Sequence, residues 1–326
     1  MKYSIIIPVD LKLRPLDILK KIRLILQRAD ESTELIFGHN DRGGFFDKKL
    51  KKLIATKKNA KLASKPFYKE LICQALLRNE AFKLSSCEYI YLMDVDCLLD
   101  EQVNLACIKE LQSGQSEFMF LPCLYLSPKG SRVVLKKSRE ELFDAFITYK
   151  KDLFTSLALP SACIFMKRAD YIAIGGFDEN FRGRGGEDFD FMLRLALFKK
   201  ALAPSKDLTQ NVFYKAPLLS SGFRKYLAFF SLPYFFEKRV IFHIHHSRNR
   251  LRAYFRRYGQ NAQILEQKRY FEEENVNFYG KSLLKLYENL CHKYQINLDT
   301  YSILFHDYRP KLLSLERFLL FLKRLK

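Results

Sequence analysis

Hydrophobic positions along the chain alternate between two periods, short continuous apolar runs and helical spacings of three to four residues. Tyr3–Val9 is an unbroken run rich in β-branched residues, which predicts a strand buried on both faces. Beyond Pro15, Leu16, Leu19, Ile22 and Leu26 recur at helical spacing, and Glu34–Phe37 predicts a second strand ending in Gly38-His39-Asn40-Asp41. Ala60–Ala63 predicts a third strand, residues 68–84 a helix, and Tyr89–Leu92 a fourth strand. Strands alternating with helices in this way predict an α/β sheet of Rossmann-like type, with ligands at the carboxyl ends of the strands.

Further along, Glu117–Leu126 reads as one buried run, residues 138–158 as a helix, and Ser161–Lys167 as another strand. A helix is expected from Glu187 to about Leu202. Residues 210–239 are rich in Phe, Tyr and Leu, broken by Pro217 and Pro233 and flanked by Arg224, Lys225, Lys238 and Arg239. Two readings stay open there, a helix in the core or an amphipathic segment in a membrane interface. Glu266–Tyr279 is polar and helical in pattern. The tail Tyr308–Lys326 alternates Leu and Phe with Lys and Arg, which suits a membrane-surface or partner helix.

Composition narrows the class. The chain has 326 residues, 48% of them hydrophobic, enough for a large core and too many for disorder. Seven cysteines without Cys-x-x-Cys spacing read as reduced thiols, with Cys97, Cys123 and Cys163 in apolar runs. The opening Met1-Lys2-Tyr3 leads straight into Ser4–Pro8, too short an apolar run for a signal sequence or a span. The expectation is therefore a cytoplasmic protein. A net charge of +20, much of it carried after residue 198, points to an anionic partner such as a lipid surface, an acidic polymer or nucleic acid.

Three stretches carry chemistry. Asp94-Val95-Asp96 follows the fourth predicted strand. Residues two apart on an extended segment face one side, so both carboxylates can address one divalent cation, Mg²⁺ or Mn²⁺. His243, His245 and His246 crowd the end of the run Val240–Ser247 and are candidate metal ligands, with His243 and His245 on one face and His246 on the other. The segment Gly175–Asp190 places glycines at 183, 185 and 186 before Glu187, Asp188 and Asp190, where a new apolar helix begins.

Gly176-Phe177, Asn180-Phe181, Gly183, Gly185-Gly186-Glu187-Asp188 and Asp190 resemble the catalytic segment of inverting GT-A glycosyltransferases, above all the β-1,4-galactosyltransferases. Asp94-Val95-Asp96 and His246-Ser247-Arg248 are similar to that family's Asp-Val-Asp and His-Ser-Arg. The opening strand–helix–strand and Leu77-Arg78-Asn79 resemble family 2 glycosyltransferases of bacterial capsule or lipopolysaccharide type. The resemblance implies a GT-A domain over residues 1–260, with a nucleotide-binding half at 1–100 and an acceptor half at 101–260. A helical basic region at 261–326 would follow. It implies Asp188 as catalytic base, with Glu187 holding the acceptor, and Asp96, His246 and Asp94 at a Mn²⁺ or Mg²⁺ ion, with His245 as the fallback ligand. Donor contacts are implied at Pro8, Asp41 (or Asn40), Arg78, Asp94, Gly186 and Arg248. The segment from Arg248 to Tyr258 corresponds to a mobile loop that folds over the donor.

The chain has no Trp; the family's two motif tryptophans are Arg182 and Arg184 here, which suggests an anionic glycan acceptor. The implied reaction is metal-dependent transfer of Gal, GalNAc, GlcNAc or GlcA from a UDP-sugar, forming a β-linkage in a bacterial surface glycan. The enzyme would sit on the cytoplasmic face of the inner membrane. A nucleotidyltransferase would need a glycine-rich loop after the first strand, which Val9–Arg14 lacks. A non-catalytic basic membrane- or nucleic-acid-binding protein would have no reason to keep these carboxylates and histidines together, and the motif set argues against nucleic acid.

Overall fold

The computed structural model describes residues 2–150, 152–212, 216–247, 253–268 and 282–306. The strands that frame the molecule are β1 (Tyr3–Val9), β2 (Thr33–Asn40), β3 (Ala60–Lys65), β4 (Tyr89–Leu92), β5 (Phe118–Phe120), β6 (Cys123–Leu126), β7 (Phe154–Ala158) and β8 (Ile164–Lys167). The main sheet has the order β3-β2-β1-β4-β8-β5. Its first four strands are parallel, and β8 runs antiparallel to both β4 and β5. Every residue of β1 is buried, because helices cover both faces of the sheet. The pleat sends Ile5 and Ile7 into the core under helix Pro15–Arg28, and Ile6 into the core shared with helices Gln74–Phe82 and Glu187–Phe198.

The chain passes from β1 to β2 on one side and returns to β4 on the other. The ends of β1 and β4 therefore open a crevice at a topological switch point, the usual ligand site of such sheets. This is the α/β, GT-A arrangement expected from the sequence.

Three predicted elements have different limits. The run Glu117–Leu126 divides at Pro122, which lacks an N–H for the ladder, into β5 in the main sheet and β6 in a second sheet. That second sheet orders strand Ile241–His243, β6 and β7. The helix expected over 138–158 begins at a Ser138/Glu141 capping box but ends at Ile147, and β7 takes the rest. The helix expected over 68–84 covers only Gln74–Phe82, since Asn40 engages the backbone N–H and carbonyl of Tyr68.

Residues 223–236 form a helix whose Phe223, Leu227, Leu232 and Phe235 are fully buried, which decides for the core and against the membrane interface. Phe235 and Phe236 meet Tyr301, and Phe236 meets Tyr287 on helix Leu283–Tyr294, so the described part of the C-terminal region shares this core. The basic tail Tyr308–Lys326 and most of the polar stretch Glu266–Tyr279 lie outside the described residues. Among the described residues, no helix is long and apolar enough to cross a membrane. All seven cysteines are free, with Cys97, Cys123 and Cys163 buried as expected.

Candidate active site

The crevice is a cavity of about 640 Å³. Pro8 and Asp10 from the end of β1 and Asp94–Asp96 from the turn after β4 form its floor. His243 and His246 line one side, Arg184, Glu187 and Asp188 another, and Tyr254 and Tyr258 close over the latter.

The carboxylates at the start of helix Glu187–Phe198 are placed by glycine. Gly186, the residue before the helix, has φ +101°, and a Cβ there would stand 2.7 Å from the Phe181 ring. At Gly183 a Cβ would meet that of Arg257 at 2.8 Å. Asp190 faces away from the cavity and is fully buried, held by Arg194 and by Lys268, which also grips Asp178. Asn79 accepts from the Phe177 N–H and the Tyr171 hydroxyl, and donates to the Phe177 carbonyl. The loop 176–186 is thus clamped from two sides.

Arg78, the neighbour of Asn79, is the electrostatic centre. Its side chain is 2% exposed and rests over the Phe177 ring. Nη2 donates to Asp94 Oδ1 at 2.6 Å, and Nη1 lies 3.2 Å from Asp188 Oδ1 as an ion pair without hydrogen-bond alignment. Burial pushes the Asp188 carboxyl up to about 6, with Arg78 opposing. Burial and the adjacent Asp188 push Glu187 up to about 8, and its Oε2 has no hydrogen-bond partner among the described residues.

On the other side of the floor, Asp96, His243 and His246 each turn a ligand atom inward, all within 4.8 Å of one another. His246 Nε2 is 3.5 Å from Asp96 Oδ2 and His243 Nε2 is 4.0 Å away. One carboxylate and two imidazoles form a donor set suited to Mn²⁺ and related ions. The expected ligand Asp96 and the expected His246 are brought together. His243 joins them and the fallback His245 does not: the strand ends at His243, so period-two alternation stops there and the backbone N–H of His245 turns to Ser131 Oγ. Asp94 stands outside the group, paired with Arg78, because Asp94 and Asp96 lie in a turn beyond β4 rather than on the strand. Burial disfavours the charge on Asp96, but bonds from Arg14 and the nearby His243 and Lys21 hold its carboxyl well below the usual range.

Residues 4–270 match the family described as Glycosyltransferase like family 2. The chain belongs to this family. As a family 2 glycosyltransferase it is an enzyme of sugar transfer. It is similar at 15% identity and a TM-score of 0.41 to S. aureus TarS 1-349 in complex with UDP-GlcNAc, over 60% of this chain and 54% of that one. It is also similar at 14% identity and a TM-score of 0.40 to the mannosyltransferase PcManGT from Pyrobaculum calidifontis in complex with GDP-Man and Mn²⁺, over 60% and 52% of the two chains. The match thus spans about half the length of these two solved chains. No curated sequence matches it.

The remaining expected residues of this glycosyltransferase separate into two groups. Pro8, Arg78 and Arg184 line the cavity, and Gly186 falls between the lining residues Gly185 and Glu187 without lining it itself. Asp41 does not reach the lining; its carboxylate is taken by Lys51 and by the Gly43 N–H. Asn40 is spent on Tyr68. The acidic residue that does face the cavity near β1 is Asp10, held by Arg42 and by the Tyr68 hydroxyl at 2.7 Å. Arg182 is exposed outside the lining, whereas Arg184 is half-buried within it. Arg248 lies outside the described residues. The segment expected as a loop over the donor holds helix Ala253–Arg256 and runs into helix Tyr258–Gln267. It packs on the glycine loop through the Tyr254 carbonyl, which accepts from Arg184 N–H, and Asn261, which donates to the Arg182 and Arg184 carbonyls. Sequence reasoning missed Asp10, Arg14 and Arg224, which line the cavity, and Lys21, which bonds to Asp96. Lys21 had a signal, since it falls on the apolar stripe with Ile18, Ile22 and Ile25 yet is buried.

Proposed function

We propose that this enzyme is an inverting transferase that moves a sugar from a UDP-sugar (Gal, GalNAc, GlcNAc or GlcA) to a bacterial surface glycan, forming a β-linkage. The observation that carries the reading is the presence in one cavity of a half-buried base, Asp188, and the inward-facing group Asp96, His243 and His246. Asp188 takes the proton from the acceptor hydroxyl as that oxygen attacks the anomeric carbon. Its raised proton affinity suits a general base at neutral pH. Glu187 holds the acceptor, and Arg78 keeps Asp188 and Asp94 at fixed spacing. Asp96, His243 and His246 are the residues that would hold Mn²⁺ or Mg²⁺, which when bound supplies charge neutralisation for the leaving diphosphate. Asp10 is a candidate nucleoside contact in place of Asp41.

Arg184 lines the same cavity as Asp188, and a guanidinium there favours an acceptor bearing a carboxylate or phosphate. The basic pattern of Tyr308–Lys326 supports a role at the cytoplasmic face of the inner membrane. The direct test is release of UDP from UDP-Gal, UDP-GalNAc, UDP-GlcNAc and UDP-GlcA by the purified protein, with Mn²⁺ and with a chelator. Lack of metal-dependent turnover with all four would rule out this donor class.

A further inference from the structure

Asp96 is the only carboxylate in the candidate metal group, and both of its oxygens already face cations. Oδ1 accepts from Arg14 Nη1 at 2.9 Å and from Lys21 Nζ at 2.6 Å, and Oδ2 accepts from Arg14 Nη2 at 2.7 Å. The two cations are differently built in. Lys21 is 5% exposed, and its ammonium lies among four oxygens: Asp96 Oδ1, Asp17 Oδ2 at 3.1 Å, and the carbonyls of Ile244 and His245, each at 3.4 Å. It ties the segment after strand Ile241–His243 to Asp96 and has no way out. Arg14 precedes helix Pro15–Arg28 and forms part of the cavity wall, with 20% of its side chain exposed. Its other partner, Asp17 Oδ2 at 2.6 Å, is 38% exposed and belongs to the first turn of the same helix.

We propose that Arg14 is a displaceable counter-cation of the metal group, competing with the divalent ion for Asp96, while Lys21 is a fixed part of the site. The proposal rests on the reading of Asp96, His243 and His246 as metal ligands. The fork takes one lone pair of each Asp96 oxygen and Lys21 takes the second on Oδ1, so a divalent ion between His243 and His246 must either share Oδ2 with Arg14 or displace the fork. The charge of Arg14 also repels a dication at hydrogen-bond range. Opening the fork leaves Arg14 its bond to Asp17, so it is not stranded. The site is thereby set for weak, exchangeable binding of a divalent ion.

The test is binding of Mn²⁺ alone to the full chain, read from the electron paramagnetic resonance signal of free Mn²⁺ at fixed ionic strength. Arg14→Met is expected to bind about tenfold more tightly than wild type. Arg14→Lys, which keeps the charge without the fork, should fall between them, and it decides by the same criterion if the Met variant does not fold. Lys21→Met is expected not to tighten binding, because it frees the 244–245 carbonyls. Unchanged or weaker binding by folded Arg14 variants overturns the proposal, and so does equal tightening in Lys21→Met, which would reduce the effect to charge alone. If wild type binds Mn²⁺ and Asp96→Asn binds it equally well, or if no form binds it at all, the metal reading itself fails and takes this proposal with it.

Discussion

The guanidinium of Arg78 reaches to within 3.2 Å of the Asp188 carboxylate from the adjacent helix Gln74–Phe82, and Asp94 holds its other nitrogen. One buried cation thus serves a carboxylate from the turn after β4 and one from the glycine loop's helix. Arg78→Met should destabilise the fold, but by less than the roughly 3–5 kcal/mol of a fully buried pair, because the carboxylates it leaves unpaired are partly open to solvent. It should also move the acidic limb of the pH–rate profile upward from about 6, because Arg78 is what holds the Asp188 value down. Thermal melts and a pH profile of the residual activity would measure both.

Asp188→Asn is expected to lower transfer ~10²–10⁴-fold, the usual contribution of a general base. Nucleotide binding should persist, since the amide keeps the side chain's size. Near-normal turnover would remove Asp188 from the chemistry.

Glu187 gives a stability signature. Its folded value, pushed up to about 8, exceeds the ordinary value of 4.5, so the folded state holds the proton more tightly. The corresponding stability is complete below pH 4.5 and is lost as pH rises through 8. Glu187→Gln should flatten that dependence, and at pH 8 it should be more stable than wild type by on the order of a few kcal/mol. Urea melts at pH 5 and pH 8, expressed as a difference between variant and wild type, would check it.

Alanine at Asp96, His243 or His246 should weaken Mn²⁺ and UDP binding together, whereas His245→Ala should leave both near wild type. Calorimetry resolves the four variants. Loss in His245→Ala alone would place the ligand one residue earlier.

Arg184→Ala should selectively lose transfer to an acceptor bearing a carboxylate or phosphate and leave a matched neutral acceptor nearly unaffected. Competition between the two acceptors, with wild type and variant, is the measurement. Equal use of both by wild type would remove the charge-recognition role.

What could be read from the residues alone was local in character. The run Tyr3–Val9, the helical spacing after Pro15 and the acidic pair after Tyr89–Leu92 predict their own elements, because strand and helix periods are encoded in neighbouring side chains. Glycines before Glu187 and Asp188 likewise signal a positive-φ turn into a helix, and Gly186 has it. The three-dimensional partners were not legible in that way. Whether His243 or His245 joins His246 depends on where the strand stops, and that is set by its pairing with β6 far away in sequence. Asp10 rather than Asp41 faces the cavity because β1 borders the switch point, while Asp41 lies one strand further out beside Lys51. Arg14 looks like an ordinary member of a basic chain, and Lys21 stands out only by its place on the apolar stripe of its helix. Only the packing of their helix against the end of β4 brings them onto Asp96, 82 and 75 residues away, where burial makes their charge count.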